Sequence, residues 1–186
     1  MKWIGNRVSY KDHNDFFTMI ITSKTEGWKM WIMFFWFLAW SASGVVIIYN
    51  LFFTNELKGS ELYFYTFLFF WTYFWYKIIK VLIWRKYGTE FIRIDKDRFS
   101  IKKSIWGFGR AKEYLTENVK NFELESLEEK SYSKVFNDSF WIIGQGTILL
   151  INAEKQYNFG AQISIEDGRK IINLLNARIR KYKSVG

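Results

Sequence analysis

Three patterns of apolar and polar positions follow one another along this chain. The first is a pair of long uncharged runs. From Met30 to Asn55 there is no charged side chain for 26 residues. The hydrocarbon core of a bilayer takes about 20 helical residues, so this run is long enough to cross, with tilt or overhang. Twelve Leu, Ile, Val or Phe residues between Ile32 and Phe53 favour insertion, with no charge to offset them. The second run starts at Leu62 and has 15 uncharged residues before Lys77. As a helix, that length rises only about 22 Å, short of a core about 30 Å thick. The apolar pattern resumes at Ile78 and continues to Trp84, which supplies the missing length and leaves Lys77 and Lys80 near the far boundary. There their stems can snorkel to the headgroups. This pattern predicts a transmembrane helical hairpin over residues 28–86.

After Gly88 the period changes to two. Ile92 and Ile94 alternate with Phe91, Arg93 and Asp95, and Phe99, Ile101 and Lys103 alternate with Ser100 and Lys102. These read as a strand hairpin, with further strands at 110–115, 119–127, 140–143, 147–152 and 156–159, about seven in all. Residues 128–139 read as a polar loop. The third pattern is helical: Ser164 as N-cap, Glu166 and Asp167 in the first turn, then a stripe of Ile171, Ile172, Leu174, Leu175, Ile179 and Tyr182. The expected fold is α+β, a two-helix transmembrane hairpin followed by a small, mostly-β domain over 87–186 closed by one helix. Residues 1–27 read as a cytoplasmic or interfacial arm. Asn14-Asp15 before Phe16–Ile21 fits a capped interfacial helix or, equally, a strand added to the downstream domain.

Composition sharpens the first pattern. Of the 40 aromatic residues, 22 lie between Trp28 and Trp84, and residues 63–76 carry 11 rings in 14 positions. Tyr and Trp suit the membrane interface, but Phe67, Phe69, Phe70 and Trp71 belong deeper than an interfacial belt, and Phe67, Phe70, Trp71 and Phe74 are the candidate packing and docking rings. Ser41-Ala42-Ser43-Gly44 in the first run is the complementary feature, a groove of small side chains into which large ones can press. Two readings stay open: a hairpin packed on itself, or one docked on a larger membrane complex. An aromatic box for a pigment or quinone is a third, and the spans hold no histidine to ligate a haem or chlorophyll. No cofactor is expected.

Charge sets orientation. The segment 54–61 has one basic residue, Lys58, while the first 29 residues carry Lys2, Arg7, Lys11, Lys24 and Lys29. The exit from the second run carries Lys77, Lys80, Arg85, Lys86 and Arg93. The positive-inside rule then places both termini in the cytoplasm, in a multi-pass protein of the cytoplasmic membrane. The first run starts too far along the chain to read as a signal peptide. Lys77, Lys80, Arg85 and Lys86, joined by Lys102, Lys103 and Arg110, form a candidate basic collar for anionic lipid, each residue worth about 1 kcal/mol near such a surface. The plainer reading is ordinary positive-inside charge. The net charge of +9 is spread along the chain rather than gathered in one tail, and no nucleic-acid partner is expected.

Catalytic equipment is sparse. There is no cysteine and one histidine, His13, which excludes a His–Cys nucleophilic site and a multi-histidine metal site. Glu123 and Glu125 would share one face of a strand, with Glu128 and Glu129 close behind. That is either a paired-carboxylate site or a solvated sheet face. Gly144-Gln145-Gly146 lacks the lysine of a phosphate loop. The spans offer no charged pore lining beyond their boundary lysines. Neither enzyme nor metal site is expected.

The strand opening Glu90-Phe91-Ile92-Arg93-Ile94-Asp95, the ending Tyr157-Asn158-Phe159-Gly160 and the Ser164-led helix through Asn176-Ala177-Arg178 carry a resemblance. With the two preceding spans, they resemble bacterial membrane proteins that join two transmembrane helices to a pleckstrin-homology-like domain. The order of parts is also similar to the photosystem I assembly proteins of chloroplasts and cyanobacteria, whose segments Trp106-Gly107-Phe108 and Gly144-Gln145-Gly146 resemble. The resemblance implies architecture only and assigns no functional residue. The expectation is a non-enzymatic, membrane-anchored interaction module, an accessory or assembly subunit of a larger membrane complex; recognition of anionic lipid is the alternative.

Overall fold

The computed structural model describes residues 1–54, 56–125, 139–144, 146–153 and 156–183. They divide into two units, Thr25–Arg85 on one hand and Met1–Lys24 with the chain from Lys86 onward on the other.

The first unit is a pair of helices, α1 (Gly27–Phe53) and α2 (Glu61–Tyr87), each long and apolar enough to cross a membrane. A helix in lipid must satisfy its polar groups internally. Several polar side chains here do so: Ser41 Oγ donates to the Phe37 carbonyl at 2.7 Å, Ser43 Oγ to Trp40 at 2.7 Å, and Thr66 Oγ1 to Leu62 at 2.8 Å. Asn50 Nδ2 likewise donates to the Val46 carbonyl at 2.8 Å. The helices meet along a seam where Gly44 is buried and a Cβ on it would overlap the Trp71 ring. Trp71 Nε1 donates to the Trp40 carbonyl and Trp75 Nε1 to Ser41 Oγ, both at 2.9 Å.

The second unit begins before the helices. Strands β1 (Lys2–Ile4), β2 (Val8–Asp12) and β3 (Phe16–Thr22) precede them; β4 (Gly88–Asp95), β5 (Arg98–Ile105) and β6 (Ala111–Leu115) follow. All six form one antiparallel meander, β3 pairing with β4 from Phe16 opposite Asp95 to Thr22 opposite Thr89. Residues 1–27 are therefore not an arm of their own: their strands complete the sheet, and the two helices are an insertion between neighbouring strands. A 3-10 turn (Thr116–Asn118) leads to a second sheet of β7 (Val119–Leu124), β8 (Ile148–Asn152) and β9 (Gln156–Phe159), and α3 (Ile165–Lys183) closes the unit.

Six of the seven strands expected after Gly88 are present among the described residues, and residues 2–22 add three more. Residues 140–143, expected as a strand, form a turn and bend. All four are half-buried, without the alternation that a sheet face imposes, and an apolar run without alternation does not by itself specify a strand. Gln145 and most of the 128–139 loop lie outside the described residues.

Period-two burial builds the core. Phe17, Met19 and Ile21 of β3, Ile92 and Ile94 of β4, and Phe99 and Ile101 of β5 face Phe122, Ile148, Leu150 and Phe159 of the smaller sheet. Ile171, Leu175, Ile179 and Tyr182 bring one stripe of α3 onto them. Ser164 Oγ accepts from the Asp167 backbone N–H at 3.1 Å, the N-cap expected from sequence. Asn176 clamps α3 to β7: its Oδ1 accepts from Phe122 N–H at 2.9 Å, and its Nδ2 donates to the Phe122 carbonyl at 3.1 Å.

Candidate functional site

The residues singled out for helix packing and docking divide between two surfaces of the hairpin. Ser41, Gly44 and Trp71 are in the seam, whereas Ala42 and Ser43 are exposed. A helix turns about 100° per residue, so four consecutive small residues cannot all face one partner. Phe67 is half-buried, and Phe70 and Phe74 point outward, 56% and 53% exposed. The groove is thus filled by the protein's own Trp71, and the outward rings of α2 form a separate face.

The candidate collar is likewise distributed. Lys77 and Lys80 are exposed, with Lys77 Nζ 5.3 Å from the Tyr73 ring centroid. Arg85 is buried, while Lys86 is exposed with its Nζ 5.2 Å from the Tyr87 ring. Lys102 and Lys103 are consecutive on β5 and so point to opposite faces of the sheet. Lys102 Nζ donates to the Gly107 carbonyl at 2.7 Å, whereas Lys103 Nζ pairs with Glu90 Oε1 at 3.3 Å. Arg110 is exposed just before β6.

The Lys103 pair leads into a charged cluster that pattern reading missed. Glu90 lies on the inward face of β4, in step with Ile92 and Ile94, and is 4% exposed. Its Oε2 accepts from Gly160 N–H at 2.6 Å, so both carboxylate oxygens are engaged. Arg7, from the β1–β2 turn, donates from Nε to the Thr22 carbonyl at 2.9 Å, from Nη1 to Gln162 at 2.7 Å and from Nη2 to Ala161 at 3.2 Å. Two charged side chains thus hold the connection between β9 and α3, one from each side of the helical insertion. Burial lowers the Arg7 pKa from its ordinary value, and the negative charge of Glu90 partly restores it. Tyr157 receives Lys112 Nζ at 4.0 Å and Lys103 Nζ at 5.7 Å from its ring centroid. Burial and then Glu90 raise the Tyr157 phenol pKa, and burial and then Tyr157 raise that of Tyr114. The signal for Glu90 was available in the sequence: an acid at the inward parity of an otherwise apolar strand face.

The glutamates of the expected acidic group do not assemble among the described residues. Glu123 is exposed and accepts from Asn121 Nδ2 at 2.7 Å. Glu125 lies beyond the end of β7 and accepts from Asn158 Nδ2 at 2.7 Å. Glu128 and Glu129 lie outside the described residues. His13 stacks on Phe16, centroids 4.3 Å apart, in the β2–β3 turn. Among the described residues, no group of three or more His, Asp or Glu side chains is placed to hold a metal. No family model, curated protein or solved structure matches this chain.

Proposed function

We propose that this protein is a membrane-anchored, non-enzymatic interaction module, an accessory or assembly subunit that holds a larger membrane complex. The observation that carries this reading is the division of rings in α2. Trp71 and Trp75 are committed to the seam through their indole N–H groups, while Phe69, Phe70 and Phe74 face outward at 72%, 56% and 53% exposure. A seam completed without those rings leaves a flat, bulky face for the helices of a partner. Both helices cross the bilayer, and the insertion starts at Thr22 and returns at Thr89, directly opposite it in the sheet. Residues 23–26 lead into α1 and none separates α2 from β4, which supports a β-unit carried at the membrane surface. The positive-inside charges favour the cytoplasmic side for that unit and both termini. The resemblance to pleckstrin-homology-like domains is supported by the order of parts: four meander strands β3–β6, three strands β7–β9, then a closing helix.

The test is native mass spectrometry of the tagged protein, gently extracted from its own membrane. A fixed-stoichiometry complex, lost in a Phe70→Ala/Phe74→Ala double variant with an intact hairpin, is the expected result. A lone chain from both parent and variant would reject the reading.

A further inference from the structure

The turn between β5 and β6 is built in a way its fold does not require. Ile105 N–H donates to the Phe108 carbonyl and Phe108 N–H to the Ile105 carbonyl, both at 2.9 Å, so Trp106 and Gly107 are the two central residues of a tight hairpin turn. Both are left-handed, at φ 51° and 85°. Two-residue turns of this kind take Asn-Gly or Gly-Gly, because a side chain larger than Asn is strained at positive φ. Here the first position holds Trp, the bulkiest residue available. Backbone strain of this sort is retained at functional points rather than at random. The strained indole is 62% exposed and Phe108 is 82% exposed, although a turn in water would favour neither ring.

The surroundings indicate what covers them. Trp106 packs against Tyr87, centroids 4.6 Å apart, and Tyr87 is the last residue of α2. The tip therefore lies where that helix ends. Residues 102–112 include Lys102, Lys103, Arg110 and Lys112 and no acid. Lys102 is bonded to the turn's own Gly107 carbonyl, Lys86 lies over the Tyr87 ring, and Arg110 is exposed beside the tip. An indole, a phenyl ring and a phenol fringed by cations match the chemistry of the bilayer interface, where amphipathic rings sit at headgroup level and Lys and Arg meet lipid phosphates.

We infer that the β5–β6 turn is a second, non-spanning membrane contact: Trp106 and Phe108 insert into the headgroup–acyl boundary beside the exit of α2, and Lys86, Lys102 and Arg110 face the lipid phosphates. This rests on the reading that α1 and α2 cross the membrane.

The chain has no cysteine, so single cysteines report cleanly. Phe108→Cys, Phe69→Cys and Lys120→Cys are each labelled with a polarity-sensitive dye. The full chain is then reconstituted in vesicles of phosphatidylcholine and phosphatidylglycerol. Phe69 is exposed on α2 and reports the span; Lys120 is exposed on β7 and reports the water-facing domain. The expected result is a label at position 108 quenched several-fold more by a spin label high on the lipid acyl chain than by aqueous iodide. Position 69 should be quenched by lipid probes and position 120 by iodide alone. A lipid-quenched position 69 with an iodide-quenched position 108 would overturn the turn contact and leave the spans intact. A position 108 shielded from both quenchers would place it against protein, and also overturn it. A position 69 open to iodide would overturn the spanning reading and the turn contact together.

Discussion

The hairpin and the β-unit place their aromatic rings on opposite sides. In the β-unit, Trp3 and the rings of the β5–β6 turn apart, the core rings are interior: Phe17, Phe99, Phe122 and Phe159 are each 1% exposed or less. In the hairpin a glycine, a serine and two indoles meet in the seam, while Phe35 and Phe69 stand outward at 62% and 72%. Outward rings along the whole length of two helices suit the proposed lipid environment better than water. The forces differ with the solvent. The β-unit is driven by removal of apolar surface from water. Helices proposed to sit in lipid would gain nothing from that, and their pairing would rest on close shape and on the hydrogen bonds of Trp71 and Trp75. Charge adds to the contrast: the buried carboxylate of Glu90 has its partners in the β-unit, whereas the indole hydrogen bonds of Trp71 and Trp75 join neutral groups.

The strongest way to break this comparison is at Glu90. Glu90→Ala leaves Gly160 N–H without its acceptor and Lys103 without its counter-charge, and should cost about 3 kcal/mol of β-unit stability. Lys103 is 31% exposed in its side chain, and water there keeps the loss from running higher. Glu90→Gln keeps the shape and an acceptor for Gly160 while removing the charge, for a loss of about 1–2 kcal/mol. Urea unfolding of the detergent-solubilised chain, followed by near-ultraviolet circular dichroism, reads both. An alanine variant with the parental midpoint would show that the cluster does not hold the β9–α3 connection.

A smaller effect separates the seam from the outer face of the hairpin. Gly44→Leu drives a side chain into the Trp71 ring, whereas Ser43→Leu adds the same atoms to an exposed position. Overpacking costs about 1–3 kcal/mol, so Gly44→Leu should lower the SDS mole fraction at which the hairpin unfolds. Ser43→Leu should leave that midpoint near the parent's. Equal shifts in the two variants would mean that the seam runs elsewhere.

How far these features were legible in the sequence depends on the length scale of the interaction behind each. The two helices were readable because 26 uncharged residues have few alternatives, and α3 because its cap and stripe are local. The groove at Ser41–Gly44 was visible as small residues, but which two of the four meet α2 depends on helix phase. The role of the first 24 residues was not settled, because Phe16–Ile21 has an apolar face in either period. Only the pairing with β4, more than 60 positions away across the insertion (Thr22 to Thr89 spans 67), decides for a strand. Arg7 is the same case. Its three acceptors are carbonyls at positions 22, 161 and 162, and backbone carbonyls leave no mark on a sequence pattern.

The mildest test is pH, and its action through Tyr157 should fall on one unit alone. Burial, then the negative charge of Glu90, raises the Tyr157 pKa; burial, then Tyr157, raises that of Tyr114. The fold therefore favours both phenols neutral. Unfolded tyrosines ionise near pH 10, so above that the unfolded chain binds fewer protons than the folded one, and stability falls as pH rises. The contribution is fully present below about pH 10 and is lost as pH climbs through the raised folded values. Tyr157→Phe should make the alkaline decline of the β-unit shallower while leaving its stability at pH 7 within about 0.5 kcal/mol of the parent. The seam residues Ser41, Gly44, Trp71 and Trp75 make no contact that depends on Tyr157, so Tyr157→Phe should leave the SDS midpoint of the hairpin at the parent's value across the same range. A Tyr157→Phe variant with the parental alkaline slope would remove this phenol from the account, and a hairpin midpoint that shifted in the same variant would show that the two units do not respond separately.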